Sequence, residues 1–376
     1  MGRLAVGLIG SGFMGRSHAL AWRAAPGVFE LPLEPVVTVL ADVSAELAEQ
    51  AAARLRIERH TGDWEDLVRD PGIGLIDITA PNRLHKEMAL AAIEAGKPVY
   101  CEKPLAPTAG EARLLADAAE KAGVPSFVGF NYLRNPMTAL AREIVEAGEI
   151  GELWGFRGIH AEDYMSDPGE PWSWRFDAGG GGGAVTDLGS HIIAMARHVV
   201  GPLTQVCADT DTVITERPTS RGGAPSQPVE VDDQARALVR FEGGVRGTIE
   251  ASWVATGRKM YLAFELTGSK GSILLNMERM NELRLFLKGG KAGREGYVEI
   301  PAGPQHPGYA PFCPAPGHQL GFNEIKAIEI RDIVLALAGG PAFQPDFREA
   351  WEIQRVVDAI KLSSEQRRWV EVEEAD

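Results

Sequence analysis

The chain has 376 residues, 45% of them hydrophobic and 24% charged, with a formal net charge of −14. That length suits two domains of about 100–200 residues each, and the composition is that of a folded protein. The acidity argues against a nucleic-acid partner, whose phosphates need a concentrated basic face. Cys101, Cys207 and Cys313 are too few and too widely spaced for a disulfide framework or a C-x-x-C metal site, which points to a reducing cytoplasm. No apolar run reaches about 18 residues, so no membrane span is expected. The apolar start at residues 4–9 meets glycines too soon to be a secretion leader.

Through roughly residue 125 short apolar runs alternate with helical patterns, the signature of βαβ units on a parallel sheet. Strands are expected at 4–9, 36–41, 75–79, 98–101 and 125–130. Between them helices are expected at 15–25 (ended by Pro26-Gly27), 44–55 with Ser44 as N-cap, 84–95 closed by Gly96, and 108–122 with Gly123 at the C-cap. A helix at 139–147 follows, closed by Gly148. Strand-like stretches then recur at 153–160, 205–214, 235–241, 245–254, 260–267 and 272–276, which predicts a mostly antiparallel sheet. A helix at 184–200 interrupts them, and two more, near 323–337 and 347–365, end the chain. Residues 163–183, with five consecutive glycines, 215–232 and 301–317 read as long loops. The fold class is therefore α/β: a doubly wound parallel sheet over residues 1–128, then an α+β domain with a mostly antiparallel sheet over 129–376.

Four motifs carry chemistry. Gly10-Ser11-Gly12-Phe13-Met14-Gly15 follows a strand and opens a helix, the context in which G-x-G-x-x-G cradles a dinucleotide pyrophosphate. Asp42, at the end of the second strand, is placed to accept from a ribose 2′-hydroxyl and to repel a 2′-phosphate, which favours NAD over NADP. Ala80-Pro81-Asn82 with His85, and Cys101-Glu102-Lys103-Pro104, both follow strands and so lie at the carboxyl edge where such sheets bind ligands. Pro104 biases Lys103 toward an extended conformation. In Thr186-Asp187-Leu188-Gly189-Ser190-His191, Asp187 and His191 stand four apart on one helix face, after a glycine run that lets the chain pass close to a ligand. Dehydrogenating an alcohol needs a proton acceptor and a donor for the developing alkoxide. His191 supplies the first, Lys103 the second, and Asp187 holds the substrate or the imidazole; the roles of Lys103 and His191 are open to exchange, since a buried lysine can act as a base. His198, His306 and His318 read as packing or solvated residues, and no metal is expected, because Lys103 would compete with a cation.

In this order, the G-x-G-x-x-G, Pro81-Asn82 with His85, Glu102-Lys103-Pro104, Trp174-Arg175, the glycine run and Asp187 with His191 resemble the Gfo/Idh/MocA family over essentially the whole chain. Residues 7–18 and 172–176 are closest to its sugar- and anhydrosugar-oxidising members. The resemblance implies a Rossmann domain and an α+β domain whose open sheet serves a homodimer or homotetramer. It implies that Lys103, Asp187 and His191 are catalytic. It places Glu102, Asn82, Trp174 and Arg175 around the nicotinamide half of the cofactor, with Asn131 and Tyr132 bordering the substrate. Tyr164, Trp172 and His160 are further candidates for the substrate side. The expected activity is NAD-dependent oxidation of a secondary hydroxyl on a sugar, anhydrosugar or cyclitol. A glycosidase that oxidises its substrate transiently with bound NAD, and a cofactor-binding sensor without chemistry, are the competing readings.

Overall fold

A computed structural model describes residues 2–375 and divides the chain into two compact units. The first comprises residues up to Arg134 together with Gly321–Glu352; the second comprises Asn135–Leu320 and the residues from Ile353 onward.

In the first unit, strands β1 (Gly2–Ile9), β2 (Leu33–Ala41), β3 (Arg59–Thr61), β4 (Leu75–Ile78), β5 (Val99–Glu102) and β6 (Ser126–Gly129) pair in the order β3-β2-β1-β4-β5-β6, every pair parallel. That is the Rossmann order, whose switch point lies between β1 and β4. Helices α1 (Phe13–Val28), α2 (Ala45–Leu55), α3 (Glu65–Arg69), α4 (Asn82–Glu94) and α5 (Ala109–Ala122) make the crossovers. β4 and β5 are buried at every position, as strands covered on both faces must be. The expected caps at Ser44 and Gly123 are present: Ser44 accepts from the Leu47 N–H at 3.2 Å, and Gly123 closes α5 with φ +64°; Thr108, expected inside the helix, is instead its N-cap and accepts from the Glu111 N–H.

Two features depart from the sequence reading. α1 does not stop at Pro26 but runs through it to Val28, because a proline in the last turn removes only one hydrogen bond. β3 and α3 are too short and polar to show an apolar period.

The second unit contains α6 (Pro136–Glu146), β7 (Leu153–Ala161), α7 (Ser190–Val199), β8 (Leu203–Asp211), β9 (Glu216–Pro218), β10 (Ser226–Pro228), β11 (Gln234–Phe241), β12 (Arg246–Ser252), β13 (Tyr261–Gly268), β14 (Gly271–Asn276), β15 (Glu282–Leu287) and β16 (Val298–Pro301). After α8 (Phe322–Leu337) and α9 (Phe347–Gln366), β17 (Val370–Glu371) returns to it. Nine strands form one sheet, β16-β15-β14-β13-β7-β12-β11-β8-β17, antiparallel except where β12 meets β7. α7 lies on β7 so closely that a Cβ at Gly158 would sit 2.6 Å from Ile192. The 215–232 segment is not wholly a loop, because β9 and β10 form a small hairpin within it. The helix expected at 184–200 is α only from Ser190; Val185–Gly189 is a π turn. α8 belongs to the first unit, where it packs on α1.

Candidate active site

The turn from β1 into α1 is built from what its glycines omit. Gly10 has φ +96°, and a Cβ there would lie 2.9 Å from the Thr79 carbonyl. A Cβ at Gly15 would fall 2.0 Å from the Gly10 oxygen, whereas at Gly12 nothing lies within 4 Å. Gly10 and Gly15 therefore serve the turn, and Gly12 leaves open space above it. Phe13 is 65% exposed and Met14 half-buried at the start of the helix. Asp42 lies beyond the end of β2 and accepts from the Ser11 N–H at 2.9 Å and the Val43 N–H at 2.7 Å, so its carboxylate is fixed against the glycine turn.

At the neighbouring strand end, Pro81 caps α4 and Asn82 is buried at its first position. His85 is fully buried, with Nδ1 2.8 Å from the Pro104 carbonyl and Nε2 2.8 Å from that of Ala80. Burial pushes its pKa down. The ring ties the turn after β4 to the turn after β5, a task the sequence reading did not give it. Lys103 is half-buried on that second turn, its backbone N–H donating to Glu102 Oε2 at 3.1 Å.

Beyond β6, Asn131 is 2% exposed and its Nδ2 has no hydrogen-bond partner among the described residues. Phe322, at the start of α8, stacks on Phe13 at 5.7 Å and meets the Tyr132 ring at 6.1 Å. Nothing in the sequence marked Phe322, since a lone aromatic at a helix start carries no pattern. These features fit an NAD molecule: a cradle with open space at Gly12, a carboxylate at the β2 end and an orphaned buried amide at Asn131.

In the second unit, Asp187 sits inside the π turn and His191 in the first turn of α7, 7% exposed. The Tyr164 hydroxyl donates to Asp187 Oδ2 at 2.8 Å, and Arg175 Nε lies 3.7 Å from the same oxygen. Enclosure of that hydroxyl and the Asp187 charge push the Tyr164 pKa well up, although the residue as a whole is 41% exposed. The His160 ring stands 5.5 Å from His191, with Nδ1 on the Leu188 carbonyl and Nε2 on Glu162. The structure thus brings Tyr164, Arg175, Asp187, His191 and His160 together.

The glycine run lets the chain pack closely on itself. A Cβ at Gly182 would sit 1.9 Å from the Arg175 carbonyl, at Gly180 2.6 Å from that of Trp174, and at Gly183 2.6 Å from Asp232. The missing side chains let the Trp174–Phe176 turn pack on the chain that follows it, with Arg175 lying over the Trp174 ring at 4.6 Å. Trp172 is tied to the β9–β10 hairpin, its backbone N–H donating to the Pro218 carbonyl and its indole to that of Pro228. Buried Arg217 secures the same loop, donating to the Met165 and Asp167 carbonyls and stacking on Phe176. Asp232 accepts from the Val185 N–H at 2.7 Å and so caps the π turn, with burial raising its pKa. The sequence reading missed Arg217 and Asp232; each sits in a segment it took for a loop. His198 faces Arg142. His306 accepts from the Gly303 N–H.

Comparison with known proteins follows this division. The family profile described as "Oxidoreductase family, NAD-binding Rossmann fold" matches residues 4–130, and that of the "GFO/IDH/MocA C-terminal domain" matches residues 138–274. Levoglucosan dehydrogenase of Pseudarthrobacter phenanthrenivorans is 41% identical over 99% of both chains. D-apiose dehydrogenase of Paraburkholderia graminis is 27% identical over 97% of this chain and 88% of its own length. The solved structure of levoglucosan dehydrogenase in complex with NADH and levoglucosan superposes with a TM-score of 0.95 at 41% identity, covering 98% of this chain and 99% of the other. The chain belongs to the Gfo/Idh/MocA family of oxidoreductases, with an NAD-binding Rossmann domain.

Proposed function

We propose that this enzyme oxidises a secondary hydroxyl of a pyranose-type sugar, an anhydrosugar first among them, passing a hydride to NAD. The observation that carries the reading is the full-length likeness to an enzyme solved with NADH and levoglucosan. In this reading Gly10, Gly12, Phe13, Met14 and Gly15 receive the cofactor, with Asp42 on the adenosine ribose and Ala80, Pro81, Asn82, His85, Glu102, Asn131, Trp174 and Arg175 lining or holding the rest of its site. The bound nicotinamide supplies the hydride acceptor. Lys103 and His191 handle the hydroxyl proton, one steadying the alkoxide character while the other accepts the proton. Asp187, held by Tyr164, orients the substrate and the imidazole. Tyr132 and Trp172 complete the substrate side.

Asp42 supports the choice of NAD, since a fixed carboxylate beside the ribose repels a 2′-phosphate. We also place the enzyme in the cytoplasm, where its three unpaired cysteines suit a reducing medium. No helix among the described residues is long and apolar enough to cross a membrane. We further propose a homodimer or homotetramer through the open face of the nine-stranded sheet, where Ile159, Tyr261 and Leu274 lie among Arg157, Glu265 and Arg284. Sedimentation equilibrium tests this, and a monomer at micromolar concentration overturns it.

A screen at 340 nm, with NAD and NADP separately, against anhydrosugars, sugars, glycosides and cyclitols tests the activity. NADH formed with levoglucosan or a related pyranose is the expected result. Binding of NAD without net NADH formation across the panel overturns it and returns the transient-oxidation glycosidase to first place.

A further inference from the structure

Beneath the turn that carries Lys103 lies a cluster of buried charges for which the proposed chemistry has no use. Lys326, on α8, is fully buried, and its Nζ donates to Glu102 Oε1 at 2.9 Å, to Glu329 at 2.8 Å and to the Tyr100 hydroxyl at 3.1 Å. His18, on α1 and also fully buried, places Nε2 2.8 Å from the same Glu102 oxygen and Nδ1 2.9 Å from Asp77. The Tyr100 hydroxyl in turn donates to Glu329. Three carboxylates thus share one lysine and one histidine in the interior, far more charge than a fold needs for stability.

The cluster converges on Glu102. Its Oε1 takes both cations, and its Oε2 takes the backbone N–H of Lys103. Space for the carboxylate exists because residue 129 is glycine, where a Cβ would sit 2.5 Å from Oε1. Burial alone would neutralise Glu102; Lys326 and His18 reverse that and hold its pKa well below the usual carboxylate range. The carboxylate is therefore ionised, immobile and bonded to the residue on which the proposed chemistry turns.

We propose that Lys326 is a positioning residue: from α8, through Glu102, it fixes the backbone of Lys103 and with it the place of the Lys103 ammonium. This rests on the catalytic reading of Lys103 given above. The link reaches across the sequence from residue 326 to residue 102, and it makes α8 part of the catalytic apparatus although it contributes no group to the reaction. A charged network suits the task, because an ionised carboxylate held by two cations has one arrangement, whereas an apolar contact would allow several.

The test is the double variant K326M/E329Q, which removes one charge of each sign and leaves Tyr100 an acceptor at position 329. In folded protein, acetylation of Lys103 by acetic anhydride, followed by peptide mass spectrometry, is expected to quicken at least about threefold while other lysines keep their rates. Turnover is expected to fall by about tenfold to a hundredfold, with the NAD dissociation constant from calorimetry held within about twofold. Unchanged labelling and unchanged turnover in a folded variant overturn the proposal, since a purely structural residue would lower the melting temperature and nothing else. If K326M/E329Q does not fold, K326Q, which keeps a neutral donor toward Glu102, is read by the same measurements. Altered Lys103 labelling in a protein whose wild type reduces no NAD with any sugar leaves the positioning intact and removes the dehydrogenase reading; unchanged labelling removes the positioning whatever the activity.

Discussion

The two units secure the side chains we assign to the chemistry by opposite means. Under Lys103 the hold is electrostatic: buried, ionised and drawn from β4, β5, α1 and α8. Around Asp187 and His191 it is steric and local. Glycines admit carbonyls where side chains would clash, a π turn sets the aspartate, and a long loop hung on a small hairpin and Arg217 delivers Tyr164 and Arg175. In the first arrangement, removing any one charge alone leaves a buried partner less compensated. The second can be altered one contact at a time. On the proposed assignment, a cofactor that never changes suits the first and a substrate that differs from one relative to another suits the second.

The largest effect expected from breaking this comparison is at the reacting groups themselves. Lys103→Met and Asp187→Asn are each expected to lower kcat by about 10²–10⁴-fold while calorimetric NAD affinity stays near wild type. If Lys103→Met retained most of its turnover, the ammonium would have no place in the chemistry. Next comes Gly15→Ala, whose new Cβ would fall 2.0 Å from the Gly10 oxygen and must distort the turn. NAD affinity should fall by at least about tenfold, with kcat at saturating NAD little altered; unaltered affinity would mean that the turn yields without cost. Asp42→Ala is milder. It removes the proposed acceptor for the ribose and the repulsion of a 2′-phosphate, so the ratio of kcat/KM for NAD over NADP should drop by about tenfold. A ratio that does not move places cofactor choice elsewhere.

What the sequence disclosed divides along the same line. The parallel sheet, the caps at Ser44 and Gly123, and the glycine turn were legible because each rests on a local rule: a strand buried on both faces, an orphan N–H, a positive φ. The antiparallel character of the second sheet was legible from strands that follow one another without helices, but β15–β17 and the β9–β10 hairpin were not, being short or polar. The π turn was invisible, since Asp187 and His191 four apart fit an α-helix equally well. His18, Lys326 and Glu329 carry no sequence signal for a different reason: a lone charged residue on an amphipathic helix reads as surface, and only the fold shows that it faces inward to a partner far along the chain. The glycine run reads from sequence as room for a ligand; the structure adds that Gly180 and Gly182 also make room for the carbonyls of Trp174 and Arg175.

Tyr164→Phe tests the looser hold. It deletes the 2.8 Å hydrogen bond to Asp187 and leaves the ring. A hydrogen bond to a charged group contributes about 1.5–3 kcal/mol when buried, less here where the residue is 41% exposed, so kcat/KM is expected to fall by only about threefold to tenfold. A loss as large as that of Asp187→Asn would instead make Tyr164 a member of the reacting set.

The smallest effect is one of stability, and it isolates the electrostatic hold. Both ring nitrogens of His18 meet carboxylates, so both carry protons and the ring is a cation. Burial opposes that charge, but Asp77 and Glu102 outweigh burial and the nearby Lys326, and the folded pKa lies above the unfolded value of 6.5. A group raised on folding stabilises fully below its unfolded pKa and loses that contribution as pH rises through its folded one. The gap in melting temperature between the wild type and His18→Gln should therefore be widest below the unfolded pKa of 6.5 and narrow as pH rises above it. A gap that stays constant across this range would mean that the ring contributes packing alone; the cations holding Glu102 would then reduce to Lys326.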